Sequence, residues 1–471
     1  MMIRNFILSV FSLCISFVSA QEKKPNILFI FADDMAVTAM GAMGNEEVKT
    51  PHLDRLADRG TIFTHAYNSG AWHGAVCVAS RTMLQTGLQI WDAHRAEKQL
   101  KQNFVDQKLF WPQLMEKAGY ETWFAGKWHV GRSKDKLAET AFNHTQNVRP
   151  GMPRPANKTL YNRPKSKDDK EWLPWDKKQE AFWIGGKHWS EVLADDGVDF
   201  LGKAAKSDKP FFMMLAFNAP HDPRQAPKEF CDMYPYEKIK IPKSFLTEYP
   251  YEICNNRTLR DEVLAPFPRT HYAVQVHRSE YYAIITHMDE QIGKILAALE
   301  KTGEAGNTIV IFSADHGLAV GHHGLMGKQN MFDHSVRVPW IIAGPNVPKQ
   351  KKIHAPIYLQ DVMATALDLG GVEKPKHVSF ESVVPHLKGT GKPREVVYSC
   401  YKDDQRMVST GKHKLIFYPK LNVQLLFDLE KDPKEMKDLS KDPKYTAVMK
   451  DMRNRLDQQM KVMNDPLLQT N

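Results

Sequence analysis

Four strand-length apolar runs, each ending in a cluster of polar residues, constrain this chain more than any other feature. Residues 27–31 run into Asp33-Asp34, and residues 120–124 into Gly126-Lys127-Trp128-His129. Residues 211–217 run into Asn218-Ala219-Pro220-His221, and residues 308–312 into Asp315-His316-Gly317. Strands that are apolar on both faces belong in a parallel sheet covered on both sides by helices. In such sheets ligands bind beyond the carboxyl ends of the strands, and all four clusters fall there. The pattern predicts an α/β fold, a large mixed, mostly parallel sheet flanked by helices, with one active site at its carboxyl edge.

Helical segments separate these runs. Thr50 offers an N-cap and Pro51 a first-turn proline; Leu53, Leu56 and Ala57 form an apolar face, and Gly60 is expected to end the helix. Residues 281–299 and 361–369 also carry apolar residues at helical spacing. Residues 132–190 break the pattern with lysines, prolines, Trp172, Trp175, Trp183 and Trp189. They read either as a basic, aromatic wall at the mouth of the site or as a packed loop region, the commoner use of such residues. Beyond residue 385, four short runs (396–398, 407–409, 415–418 and 425–427) read as antiparallel strands, and residues 449–463 as a closing helix. The expected units are a leader at 1–20, a catalytic domain at 21–385 and a small antiparallel α+β subdomain at 386–471.

The leader reads as a cleaved export signal. Arg4 precedes an apolar run over residues 6–18, and Val18-Ser19-Ala20 fits the small-x-small rule for cleavage before Gln21. The run is too short to span a bilayer comfortably, so the expected location is periplasmic or secreted, without stable membrane insertion. The whole chain carries a net charge of +9, which favours anionic partners; no segment resembles a nucleic-acid module. Export also permits disulfides. Cys231 and Cys254 are the pair close in sequence, and their pairing, like the oligomeric state, stays open.

Cys77-Val78-Ala79-Ser80-Arg81 opens a segment with helical composition that stops at Gly87. Residue 77 then lies at a helix N-terminus, where free N–H groups and the dipole favour an anion. A lone cysteine is most often a small buried apolar residue, but its surroundings here say otherwise. The motif resembles that of the type I sulfatase family, in the alkaline-phosphatase superfamily, which has Cys-x-Pro/Ala-Ser-Arg. Gly119-Tyr120-Glu121-Thr122 with Gly126-Lys127-Trp128-His129 resembles a second family signature. Asp33-Asp34, Thr50-Pro51-x-Leu53-Asp54, Asp315-His316-Gly317, Gly327-Lys328, Phe427-Asp428-Leu429 and Asp432-Pro433 also fall at family positions. These matches run from about residue 24 to 440. The segment from Lys328 to Pro339 is similar to carbohydrate sulfatases, including iduronate-sulfatase-like members.

The resemblance implies that a formylglycine-generating or other sulfatase-maturing enzyme oxidises Cys77 to formylglycine, whose hydrated aldehyde attacks sulfur. It implies that Asp33, Asp34, residue 77, Asp315 and His316 bind a divalent cation. Carboxylate oxygens suit Ca²⁺ or Mg²⁺, and a dense acidic cluster suits Ca²⁺ better. Arg81 would steady residue 77, and Lys127 and Lys328 would clamp sulfate oxygens. His221 would protonate the leaving oxygen, and His129 would act as the base that expels sulfate and restores the aldehyde. His323, near His322 and His334, is a candidate to touch the sugar. The expected activity is sulfate removal from a sulfated oligo- or polysaccharide. The rivals are a phosphate or phosphonate ester hydrolase of the same superfamily, and a non-catalytic binder of sulfated glycans should Cys77 stay unmatured.

Overall fold

A computed structural model describes residues 23–131, 136–152, 159–253 and 257–469. The leader at 1–20 and Cys254 lie outside the described residues. The four apolar runs become the strands Asn26–Ala32, Glu121–Lys127, Phe211–Ala216 and Thr308–Ala314. They lie side by side and parallel at the centre of an eight-stranded sheet, in the spatial order Thr308, Asn26, Phe211, Glu121. Trp340–Ala343 runs antiparallel beside Thr308–Ala314, followed by Gly60–Phe63 and Lys351–Ile353; His144–Arg149 closes the opposite edge. The central strands are almost wholly buried, because helices cover both faces of the sheet.

The helix Pro51–Asp58 stops just before Gly60, which opens the next strand, where a Cβ would lie 2.1 Å from Ile342 O of the paired strand. One expectation changes. Helix Pro51–Asp58 receives no side-chain cap from Thr50. The Thr50 hydroxyl donates to Asp54 instead, and Asp289 of the long helix His271–Lys301 accepts from His52 N and Leu53 N at 2.9 and 2.8 Å.

The tryptophan-rich segment is mostly packed structure. Trp172 is buried in a small cluster with Leu160 and Leu264, Trp183 donates to Pro174 O, and Arg149 lies over the half-buried Trp189 ring at 3.8 Å. The same segment supplies the edge strand His144–Arg149.

Four antiparallel strands, Val397–Tyr401, Gln405–Ser409, His413–Tyr418 and Val423–Asp428, form the C-terminal sheet, and helix Thr446–Val462 packs on it. A fifth, parallel strand, Gly70–Ala71, comes from the body of the chain. Among the described residues no helix is long and apolar enough to cross a membrane.

Candidate active site

Strand register brings the polar clusters together. Ala32 pairs with Ala314, so Asp33 and Asp315 leave adjacent strands at the same level. Asp33 N donates to Ala219 O at 3.0 Å and Asp315 N to Ala32 O at 3.2 Å. Asp34 follows in a left-handed conformation, φ 68°, with its N–H donating to Asp315 Oδ1 at 3.0 Å. The strand carrying Lys127 continues through Gly126, where a Cβ would lie 2.0 Å from Ala216 O of the neighbouring strand. Only glycine permits that approach.

Helix Val76–Thr86, buried along its length, supplies the remaining groups. Cys77 lies in the first turn, and Arg81 follows one turn later on the same face. Ser80 Oγ donates to Asp315 O at 3.0 Å, and Gly131 N donates to Thr82 Oγ1 at 3.0 Å. Arg81 donates through Nε to Asp315 Oδ2 at 2.9 Å and through Nη1 to Lys127 O at 2.7 Å. The helix is thereby bonded to the ends of two strands.

The ligand atoms of Asp33, Asp34, Cys77 and Asp315 all lie within 4.8 Å of one another. Lys328 Nζ donates to both Asp34 oxygens, at 2.6 and 2.5 Å, and stands 3.3 Å from Cys77 Sγ. Lys127 Nζ donates to Asp33 Oδ2. Every one of these side chains is buried. Burial and the like charge of Asp315 push the Asp33 carboxyl up to about 6, against the pull of Lys127. Burial raises Asp34 well above the usual carboxylate range, with Lys328 opposing. Asp315 is also pushed up by burial, but Arg81 and Lys127 hold it below its ordinary value. Burial, followed by the charge of Asp33, raises the Cys77 thiol.

Asp33 Oδ1 is buried and makes no hydrogen bond among the described residues. An orphaned carboxylate oxygen within a cluster of hard oxygen donors fits a divalent cation such as Ca²⁺ or Mg²⁺.

The histidines divide. His221 Nδ1 donates to Asp222 O at 2.7 Å, which fixes the tautomer and leaves Nε2 3.5 Å from Asp34 Oδ2. Burial, with Lys328 and Lys127, lowers its pKa well below 6.5. His129 has φ 50° and lies against Gly151; burial and the Lys127 charge press its pKa down to about 2. His316 is buried beside Asp315, with Nδ1 donating to Gly317 O at 3.1 Å. Its ring is outside the set of ligand atoms that share the 4.8 Å neighbourhood. Burial lowers its pKa to about 4. His323 lies elsewhere, stacked on Phe332 at 4.1 Å between ring centroids and bonded to Glu435 O at 3.0 Å. It also lines a cavity of about 530 Å³ together with Ala36, Val37, His322, His334 and Glu435.

Sequence reasoning missed several supporting residues. Tyr281 donates to Asp34 O at 2.7 Å and accepts from Ala36 N at 2.9 Å. Asn68 donates to Asp315 O at 3.0 Å. Arg260 pairs with Asp222 next to His221. These residues follow no short motif; the adjacency of Asp222 to His221 was the one available signal.

The structure thus gathers carboxylates, amines and a cysteine at the carboxyl edge of one mostly parallel α/β sheet. The sulfatase family profile matches residues 25–372, and that of the N-sulphoglucosamine sulphohydrolase C-terminal region matches residues 321–462. The chain belongs to the sulfatase family and is a sulfuric ester hydrolase. It is similar to an arylsulfatase of Clostridium perfringens, 28% identical over 457 residues, spanning 90% of this chain and 91% of the relative. An N-acetylglucosamine-6-O-sulfatase of Bacteroides thetaiotaomicron is 26% identical, over 94% of this chain and 88% of its own. Among solved structures, one in complex with its substrate D-glucosamine-2-N,6-O-disulfate aligns at TM-score 0.73 and 22% identity, covering 94% of this chain and 99% of that one. A phosphonate monoester hydrolase of Agrobacterium radiobacter aligns at 0.71 and 20%, covering 93% and 96%. At these identities the structural likenesses show the fold.

Proposed function

We propose that this sulfatase is exported and removes sulfate from a sulfated oligo- or polysaccharide, using formylglycine made from Cys77 and a bound Ca²⁺. The observation that carries the proposal is the meeting of Asp33, Asp34, Cys77 and Asp315 within 4.8 Å, beside the amines of Lys127 and Lys328. Burying so many charges contributes little net stability, so their convergence argues for chemistry. Asp33, Asp34, residue 77 and Asp315 would hold the cation, with His316 as a further ligand. When present, the cation and the matured side chain would supply Lewis-acid polarisation of a sulfuryl oxygen and a hydroxyl nucleophile.

The remaining steps fall to the chain's own side chains. Lys127 and Lys328 place positive charge where charge develops on the sulfuryl oxygens. Arg81 holds Asp315 and the Lys127 strand end in register. His221 presents Nε2 to the cleft, and the negative charge of a bound sulfate ester raises its affinity for the proton it passes to the leaving oxygen. His129 is neutral in these surroundings, and negative charge gathering on the sulfated intermediate would raise its affinity for the proton it is assigned to accept. The saccharide substrate is supported by the glycan-sulfatase relative and by the net charge of +9. The leader at 1–20, the division at residue 385 and a sulfatase-maturing partner belong to the same reading.

Mass spectrometry of the peptide containing residue 77, from protein made in its native host, tests the maturation. An aldehyde is expected; an intact thiol overturns it. Treatment with a chelator is expected to abolish nitrophenyl sulfate hydrolysis, and Ca²⁺ to restore it better than Mg²⁺. The fold likeness to a phosphonate monoester hydrolase favours a second reading. Comparing rates on nitrophenyl sulfate and a phenyl phosphonate ester separates the two, with sulfate expected to be much the faster.

A further inference from the structure

Arg260 belongs to none of the sequence motifs, yet it connects the surroundings of His221 with those of Lys328. Its guanidinium forks onto Asp222, Nη1 to Oδ2 at 2.7 Å and Nη2 to Oδ1 at 3.1 Å. Nη2 also donates to Asp261 Oδ1. On one side, Asp222 Oδ1 stands 3.2 Å from His221 Nδ1, next to the bond that nitrogen makes to the Asp222 carbonyl. On the other, Gln329 Nε2 donates to Asp261 Oδ2 at 2.8 Å, and Gln329 Oε1 accepts from Lys328 N at 3.1 Å. A continuous chain therefore runs His221, Asp222, Arg260, Asp261, Gln329, Lys328. The next residue strengthens the second arm, since Glu262 accepts from Met326 N and Gly327 N at 2.9 and 2.8 Å.

Burial makes this chain directional in its consequences. Asp222 and Asp261 are 2% and 1% exposed, so water does little to satisfy either carboxylate. Arg260, about a third exposed, is the cation that both share. A lysine ammonium is a point charge and cannot present parallel donors to one carboxylate while bonding a second.

We propose that Arg260 is a positioning residue for sulfate-ester hydrolysis, holding the His221 imidazole and the Lys328 segment in fixed relation through Asp222 and Asp261. The proposal rests on the roles assigned above to His221 and Lys328. Arg260 acts through other residues and does not itself touch the reacting atoms.

The test uses full-length, matured enzyme carrying Arg260→Lys or Arg260→Ala, with nitrophenyl sulfate, which has no sugar for Arg260 to contact. Arg260→Lys keeps a charge between the carboxylates and guards against misfolding. It is expected to lower kcat about 10- to 100-fold, the scale of a small displacement of catalytic groups, with KM changed by less than about threefold. Guanidinium ion, entering from the exposed side, is expected to restore part of the kcat of Arg260→Ala but none of Arg260→Lys. The ¹⁵N resonance of His221 Nδ1 is expected to shift in both variants and to return in Arg260→Ala with guanidinium. Unchanged kcat in Arg260→Lys overturns the proposal, as does a fall in kcat with the His221 resonance unmoved. A loss confined to saccharide substrates also overturns it, because Arg260 would then be a substrate contact. Should the wild type hydrolyse no sulfate ester, the functional reading fails, while the His221 resonance still decides whether Arg260 sets the position of the imidazole.

Discussion

Arg81 binds more of the site together than any other single side chain. It is 1% exposed, and its guanidinium lies 4.7 Å over the Phe31 ring while its nitrogens reach Asp315 and Lys127 O. Nη2 makes no hydrogen bond among the described residues and stands 3.7 Å from Asp33 Oδ1, itself unbonded. Arg81→Lys keeps the charge but cannot span two strand ends. The expected result is a fall in kcat on nitrophenyl sulfate of about a hundredfold or more, the scale for losing a preorganised electrostatic contact. Stability, read from urea midpoints, should drop by about 1–3 kcal/mol because Asp315 and Lys127 O lose buried partners. Retention of full activity by Arg81→Lys would refute this account. At this scale, the residues legible in the sequence were those standing at the end of an apolar run, one helical turn from Cys77, or, like Lys328, within a motif that resembles the family's. His323 was less so: its backbone, at φ 54° after Gly321 at φ 95°, carries the ring toward Phe332 and Glu435, a direction set by the loop and invisible to spacing. Arg260 and Asp261 sit in a turn just before the short helix Glu262–Leu264, where no periodicity marks them.

Helix Pro51–Asp58 shows how one element depends on another distant in sequence. Its first N–H groups are accepted by Asp289, more than two hundred residues away, with both oxygens engaged. Asp289→Ala should therefore cost about 1–2 kcal/mol, the range for losing a helix cap, and Asp289→Asn less, since one acceptor oxygen remains. Urea denaturation followed by far-UV circular dichroism checks this, and kcat should stay as in the wild type, because Asp289 touches none of the groups at the strand ends. Wild-type stability in Asp289→Ala would overturn this account of the cap. The central strands were legible because they are apolar on both faces. The edge strands were not. His144–Arg149 alternates no apolar residues and is only half-buried, and Lys351–Ile353 is three residues long. Local composition gives an edge strand little to show, since its partner supplies most of its order.

The C-terminal sheet and the body of the chain are joined through buried charge as well as through main-chain pairing. Gly70–Ala71 adds a parallel strand to Val397–Tyr401, and Gly70, at φ 107°, would bring a Cβ within 2.0 Å of Cys400 O. Beside the catalytic body, Lys414 is fully buried between Asp333 and Glu435, at 2.7 Å from Glu435 Oε1. Glu435 Oε2 accepts from Asp333 N at 2.7 Å. Burial pushes the Glu435 carboxyl up from its ordinary 4.5 to about 7, Lys414 opposing and Asp333 adding to the rise. In the folded protein Glu435 thus keeps its proton to a higher pH than in the unfolded chain. Between those two values the folded state binds more protons, so this group's contribution to stability is full below 4.5 and is lost as pH rises through about 7. Glu435→Gln removes that dependence. Urea midpoints of the wild type and Glu435→Gln, measured across that interval, should diverge in favour of the variant as pH rises. A difference that stays constant with pH would mean that Glu435 ionises alike in the folded and unfolded states.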